Sequence, residues 1–210
     1  CTAIGAAFAG DLAATSTSGP GLSLKGEAIG LAVMAELPLV VIDVQRGGPS
    51  TGLPTKTEQT DLMQAIYGRN GECPAVVIAA SSSANCFDFA YEAAKIALEN
   101  MTPVVLLTDT YLANGTGLWR IPQLSELPEI QPQCVPEKLK GNQIPLLQVQ
   151  GNEDSDTLLI GWGSTEGHLH AAANELGCAL AHFNYINPLP KNTEEVLRQY
   201  KRIVVCELNN

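Results

Sequence analysis

Short β-branched runs recur along the chain, and between them apolar residues return at helical spacing. "PLVVIDV", "PAVVIAA", "TPVVLLTDT" and "DTLLIGWG" are apolar on both faces, the pattern of strands buried in a parallel sheet. Residues 1–12 read as a small-residue helix. "AATST" leads to a turn at Ser18-Gly19-Pro20-Gly21, and helical spacing runs from Leu22 to Leu37, where Pro38 stops it. "TEQTDLMQAIYG" predicts a helix with Thr57 as N-cap, and "SSSANCFDFAYEAAKIALEN" predicts another. Strands alternating with helices predict a parallel sheet covered on both faces, with ligands at the carboxyl ends of its strands.

The pattern stops between about Gly115 and Asp156, where prolines are frequent and apolar periodicity is weak. This stretch reads as a linker, shortened or incompletely represented. "STEGHLHAAANELG", "ALAHFNYIN", "KNTEEVLRQYK" and "RIVVCEL" then complete a second β-α-β-α-β unit begun by "DTLLIGWG". The expected division is residues 1–115, a linker over 116–155, and a second, partial α/β domain over 156–210.

The stretch "VQRGGPSTGLPTKTEQ", Val44 to Gln59, changes the picture from fold to chemistry. Arg46 stands at a strand's end beside Gly47 and Gly48, where exposed backbone N–H groups can meet a ligand. Its guanidinium suits a carboxylate or phosphate, and Ser50, Thr51 and Thr55 add hydroxyls. No Gly-Lys-Ser/Thr closes the loop, which argues against a nucleotide triphosphate. The plain alternative is an exposed turn with a surface arginine. "TSGPG", Thr17 to Gly21, also lies between a strand and a helix, and equally reads as a ligand-facing helix start or a tight turn. "GWGSTEG" has one residue too many for a dinucleotide fingerprint and reads as a glycine turn. His168 and His170, two apart on a predicted helix, make a poor metal pair, and His182 is expected to pack.

Composition narrows the class. Of 210 residues, 45% are apolar and 16% charged, and the net charge of -10 argues against nucleic acid or an anionic membrane. The apolar runs break before membrane-spanning length, and the first residues lack a basic n-region, so a cytoplasmic location is expected. There is no initiator Met, so the chain is expected to begin inside a longer protein. Cys1, Cys73, Cys86, Cys134, Cys178 and Cys206 fit no zinc or iron–sulfur spacing and are expected to be buried small hydrophobes.

The stretch from "TSTSGPG" through "RGGPSTGLPTKTEQTDLMQAIYG", with "MTPVVLLTDTYLANG", "DTLLIGWGST" and "YINPLPKN", resembles the α subunit of 2-oxoacid:ferredoxin oxidoreductases, especially the 2-oxoglutarate type. The resemblance implies two α/β domains, the first like a thiamine-diphosphate pyrimidine-binding domain, the second like the C-terminal domain of transketolase. It implies oxidative decarboxylation of a 2-oxoacid with coenzyme A, giving an acyl-CoA and reduced ferredoxin. Thiamine diphosphate would be shared with a partner β subunit that holds Mg²⁺ and a 4Fe-4S cluster, making a hetero-oligomer whose site forms between subunits. By the same resemblance Arg46 would bind the substrate carboxylate, Thr55 would set its side-chain end, and Gly47, Gly48, Ser50 and Thr51 would shape the pocket. Thr17, Ser18, Gly19, Pro20 and Gly21 would lie near the aminopyrimidine. The family's YPITP-like segment is not in this chain, and its activating glutamate would precede Cys1, so no catalytic residue and no metal ligand is expected here. A pyruvate- or other 2-oxoacid-specific relative and a non-catalytic scaffold subunit are the alternatives.

Overall fold

The structure is a computed structural model and describes residues 1–133 and 143–208. Its first sheet has five strands, in the spatial order Ala13–Thr17 (β1), Leu39–Gln45 (β2), Pro103–Asp109 (β4), Val76–Ala79 (β3) and Tyr185–Asn187 (β8), and its second has four, in the order Val149–Gly151 (β5), Ala179–Phe183 (β7), Thr157–Trp162 (β6) and Arg202–Val205 (β9). Helix α1 (Thr2–Phe8) precedes β1 (Ala13–Thr17), α2 (Gly19–Leu24) and α3 (Gly26–Met34), and β2 (Leu39–Gln45) enters the sheet between β1 and β4. α4 (Leu62–Tyr67), β3 (Val76–Ala79), α5 (Cys86–Asn100), β4 (Pro103–Asp109) and α6 (Thr110–Asn114) follow. β1, β2, β4 and β3 run parallel. On one face Leu39, Val41, Val77, Val105 and Leu107 meet α1 to α4; on the other Val40, Ile78, Val104 and Leu106 meet Ala93, Ile96 and Ala97 of α5. Both faces are covered, as the β-branched runs require.

The second sheet contains β5 (Val149–Gly151), β6 (Thr157–Trp162), β7 (Ala179–Phe183) and β9 (Arg202–Val205), with α7 (Glu166–Leu176) and α8 (Thr193–Arg198) beside them. Its two cores are Leu158, Ala179, Ala181 and Val196, and Leu159, Leu169, Ala173 and Leu180. Each sheet carries one antiparallel edge strand, β8 in the first and β5 in the second. β5 falls inside the span read as linker. Among the described residues no helix is long and apolar enough to cross a membrane.

Three elements depart from the sequence reading. The helix expected from Leu22 to Leu37 is two short helices meeting at Lys25, whose Nζ donates to Thr17 Oγ1 at 3.3 Å. "TEQTDLMQAIYG" is helical only from Leu62, with Asp61 rather than Thr57 as N-cap. "ALAHFNYIN" is not one strand. It breaks at Asn184, and β8 (Tyr185–Asn187) leaves the second sheet to pair antiparallel with β3 of the first. Asn184 drives that departure: its carbonyl accepts from Ala79 N–H at 2.8 Å, and its Nδ2 donates to Ala79 O at 2.9 Å. The cysteines differ too. Cys1 is exposed, while Cys73, Cys86, Cys178 and Cys206 are only partly buried. Cys134 lies outside the described residues.

Candidate functional site

β2 delivers Arg46 to the carboxyl end of the first sheet, and the chain then closes on itself before α4. Gly47 N–H donates to Lys56 O at 2.8 Å, Leu53 N–H to Gly47 O at 2.9 Å, and Lys56 N–H to Leu53 O at 2.9 Å. Gly52 makes this closure possible. It sits at φ +53°, and a Cβ there would strike the Gly47 carbonyl and the Gly48 Cα. The Gly48 N–H reaches Glu58 Oε2 at 3.3 Å. The glycine amides that were expected to face a ligand are therefore engaged within the loop. The group left over is the Arg46 guanidinium: it is in no ion pair, and its Nε is buried with no hydrogen-bond partner among the described residues.

A cavity of about 690 Å³ opens beside it. Arg46, Gly48, Pro49, Ser50 and Glu58 of the loop line one part; Gly19, Pro20, Ser23 and Leu24 of α2 line another; Thr60, Asp61 and Gln64 complete it. The fold thus brings the "RGGPS" and "TSGPG" segments to one cavity. Gln64 Nε2 donates to Gly19 O at 3.2 Å and ties the two sides together. Of the predicted residues, Gly47, Thr51, Thr55, Thr17, Ser18 and Gly21 do not line it. Thr51 and Thr55 are exposed on the loop, and the Thr17 hydroxyl is held by Lys25.

Sequence reasoning missed the carboxylates. Glu58, expected in a helix's first turn, precedes α4 and lines the cavity. Asp61 lines it too, its carboxyl seated so close to Gly19 that any Cβ there would collide with it. Behind it Asp43 is fully buried. Neither Asp43 oxygen receives an N–H or O–H from elsewhere among the described residues; its neighbour is the Asp61 carboxyl. Burial, the Asp61 charge and the hydrogen bond to Asp61 push the Asp43 carboxyl up to about 8. Burial also raises Asp61, against the lowering effect of the hydrogen bond from Asp43; Glu58 pushes it up and Arg46 draws it down. The one available signal was an aspartate inside an otherwise apolar strand.

A second cavity, of about 610 Å³, lies between the sheets, lined by Ser81, Ser82 and Ser83 after β3, by Tyr111 and Gly115, and by Ser164, Glu166, His168 and His170. "GWGSTEG" here forms a strand end, a 3-10 turn over Gly163–Thr165 and the start of α7, as a glycine turn should. His182 Nε2 lies 3.0 Å from Gly163 O, and burial lowers its ring's basicity. Among the described residues no group of three His, Cys, Asp or Glu side chains is placed to hold a metal ion.

A doubly covered, mainly parallel sheet with an arginine-bearing cavity at its strands' carboxyl ends defines a ligand-binding α/β protein. Residues 1–157 match the family model described as pyruvate flavodoxin/ferredoxin oxidoreductase, thiamine diphosphate-binding, and the chain belongs to that family. It is 44% identical over 273 aligned positions to the 2-oxoglutarate oxidoreductase subunit KorA of Mycobacterium tuberculosis, covering 100% of this chain and 42% of that protein. It is 30% identical to the α subunit of 2-oxoacid:ferredoxin oxidoreductase 1 of Aeropyrum pernix, covering 98% and 43%. The solved 2-oxoglutarate:ferredoxin oxidoreductase of Magnetococcus marinus, with 2-oxoglutarate, coenzyme A and succinyl-CoA bound, superposes with a TM-score of 0.82 at 28% identity, over 100% of this chain and 48% of that one. A transketolase from Pichia stipitis shares the fold at a TM-score of 0.58 and 16% identity, over 93% and 27%. The chain spans less than half the length of these relatives.

Proposed function

We propose that this chain is part of the α subunit of a thiamine-dependent oxidoreductase that decarboxylates 2-oxoglutarate to its acyl-CoA and reduces ferredoxin. The observation that carries the reading is the Arg46 guanidinium, unpaired and lining a cavity whose other wall is Gly19, Pro20 and Leu24. A guanidinium without a carboxylate partner is suited to a ligand that brings one. Gly48 and Ser50 shape the pocket around that carboxylate. Thiamine diphosphate supplies carbanion stabilisation and an electron sink when bound. The residues present fit its aminopyrimidine end: Pro20 and Leu24 give an apolar wall, beside which Asp61 and Gln64 offer polar groups. We place the diphosphate, its Mg²⁺ and a 4Fe-4S cluster on a β subunit, with ferredoxin and coenzyme A meeting the assembled enzyme. Exposed Leu24, Met63 and Tyr67, on the adjoining helices α2 and α4, suit a protein neighbour at the cavity's mouth.

Arg46→Ala and Arg46→Lys in the assembled full-length enzyme test the reading. Breaking a buried charge pair with the substrate should cost roughly 2–5 kcal/mol in kcat/KM for 2-oxoglutarate. Unchanged kinetic constants would make the chain a scaffold, and a preference for pyruvate would change the substrate.

A further inference from the structure

The Arg46 Nε is not the only buried polar atom at this cavity, and the carboxyl pair behind it has no part in holding a carboxylate ligand. Asp43 is fully buried in β2, and both its oxygens lack any donor other than the neighbouring carboxyl. Asp61 presents one side of its carboxyl to the cavity, while its Oδ2 is buried and equally without a donor from the rest of the described chain. Its backbone N–H is fixed by Gln45 Oε1 at 3.1 Å, which ties the start of α4 to the end of β2. Two carboxylates in contact, with no N–H or O–H to separate them, cannot both stay ionised, and one proton must lie between them.

The surroundings are short of other charges. In register with Asp43 stand Thr17 on β1 and Leu107 on β4. Lys25, at the junction of α2 and α3, is held on the Thr17 hydroxyl. From the loop and the start of α4 come Asp61 itself, with Glu58 and Arg46 acting on Asp61. The guanidinium is thus the cation nearest in effect to this pair.

We propose that Asp43 and Asp61 hold a single proton between them, and that this proton keeps Arg46 available to an incoming carboxylate. With the proton the pair carries one negative charge; without it the pair carries two, and the second competes with the ligand for the guanidinium. Asp43 is then a positioning residue that acts through Asp61 on Arg46. The inference rests on the reading of Arg46 as a carboxylate-binding group.

The test is the affinity of the assembled full-length enzyme for glutarate, a dicarboxylate with no keto group to react, measured by calorimetry from about pH 6.5 to about pH 9.5, a span in which glutarate itself stays fully ionised. In the wild type the affinity should fall roughly tenfold across this range as the shared proton leaves. Asp43→Asn, which cannot lose that proton, should bind with no such fall. Asp61→Asn leaves at most one negative charge at the pair, the charge of the protonated wild-type pair, and should likewise bind with no such fall. A flat wild-type profile overturns the proposal without reference to any variant, and so does an unchanged fall in Asp43→Asn. Arg46→Ala separates the two readings: glutarate binding that survives it defeats the carboxylate site, whereas binding that it abolishes, with a flat wild-type profile, defeats the carboxyl pair alone.

Discussion

The chain builds a similar device twice. After β2 and again after β6, a buried parallel strand ends near glycines and the chain goes on, by a long loop in the first case and a 3-10 turn in the second, to a helix beside a cavity of about 600–700 Å³. The two differ in what their polar groups have left to do. Around the second cavity Thr165 Oγ1 donates to Trp162 O at 2.7 Å and Ser164 Oγ accepts from Gln59. Ser81 accepts from Asn85 Nδ2 at 2.8 Å, and Ser83 donates to Leu112 O at 2.8 Å. Around the first, the Arg46 Nε, both Asp43 oxygens and one Asp61 oxygen are buried without partners from the rest of the described chain, against the single Nδ1 of His182 beside the second. Glycine content and volume are alike in the two. What differs is the number of buried polar atoms left without a partner, whose cost is recovered when a ligand or a proton arrives.

The largest effect should come from the residue that joins the two devices. Gln59 is fully buried; its Nε2 donates to Trp162 O, Ser164 Oγ and Asp109 Oδ2 at 3.2, 3.4 and 3.5 Å, and its Oε1 accepts from Leu208 N–H at 3.4 Å. Gln59→Ala leaves several of these groups unpaired and should lower stability by about 2–4 kcal/mol, read by chemical denaturation.

Next in size is the pH dependence of the first device. Asp43 binds a proton in the folded chain up to about pH 8, while its unfolded counterpart releases it near the ordinary carboxyl value of 3.8. Between those values the folded state holds the extra proton, so stability from this group falls as pH rises. Asp43→Asn has no such proton to hold, so its stability relative to wild type should grow by a few kcal/mol as pH rises from about 4 to about 8. Urea midpoints of the two proteins across that range measure it.

Gly52→Ala comes third. It forces a side chain into positive φ against the Gly47 carbonyl, and should cost roughly 1–3 kcal/mol while displacing Arg46 from the cavity. Paired denaturation and glutarate titration would register both effects. The smallest effect belongs to Glu194→Gln on α8. Its ion pair with Arg198, at 2.6 Å, is largely exposed, and thermal unfolding should move by no more than about 0.5 kcal/mol equivalent.

The strands at the sheets' centres were legible because burial on both faces leaves an uninterrupted apolar run. Arg46 was legible because it stands between such a run and a Gly-Gly-Pro turn, where a buried strand gives way to the loop at its carboxyl end. The rest depended on partners distant in sequence. Thr57 has good N-cap chemistry, yet the helix waits until Leu62, because Gln59 is pulled between the sheets and its neighbours cannot be helical. Asn184 gives no local warning that its side chain and backbone will pair with Ala79. Asp43 and Asp61 are 18 positions apart, and only the packing of α4 against β2 shows that they share a site.

β8 has a consequence for how the molecule can change over time. Because a strand encoded after β7 completes the edge of the first sheet, the two sheets are stitched by hydrogen bonds that owe nothing to the peptide joining Gly115 to Val149. The described part of that peptide is tied down separately: Tyr91 Oη donates to Pro128 O at 2.6 Å, and buried Leu147 pairs through its N–H and its carbonyl with the Asn192 side chain, both at 2.9 Å. The halves cannot be exchanged between relatives as independent cassettes: a recombination point placed in the linker would leave β3 bordered by a foreign strand.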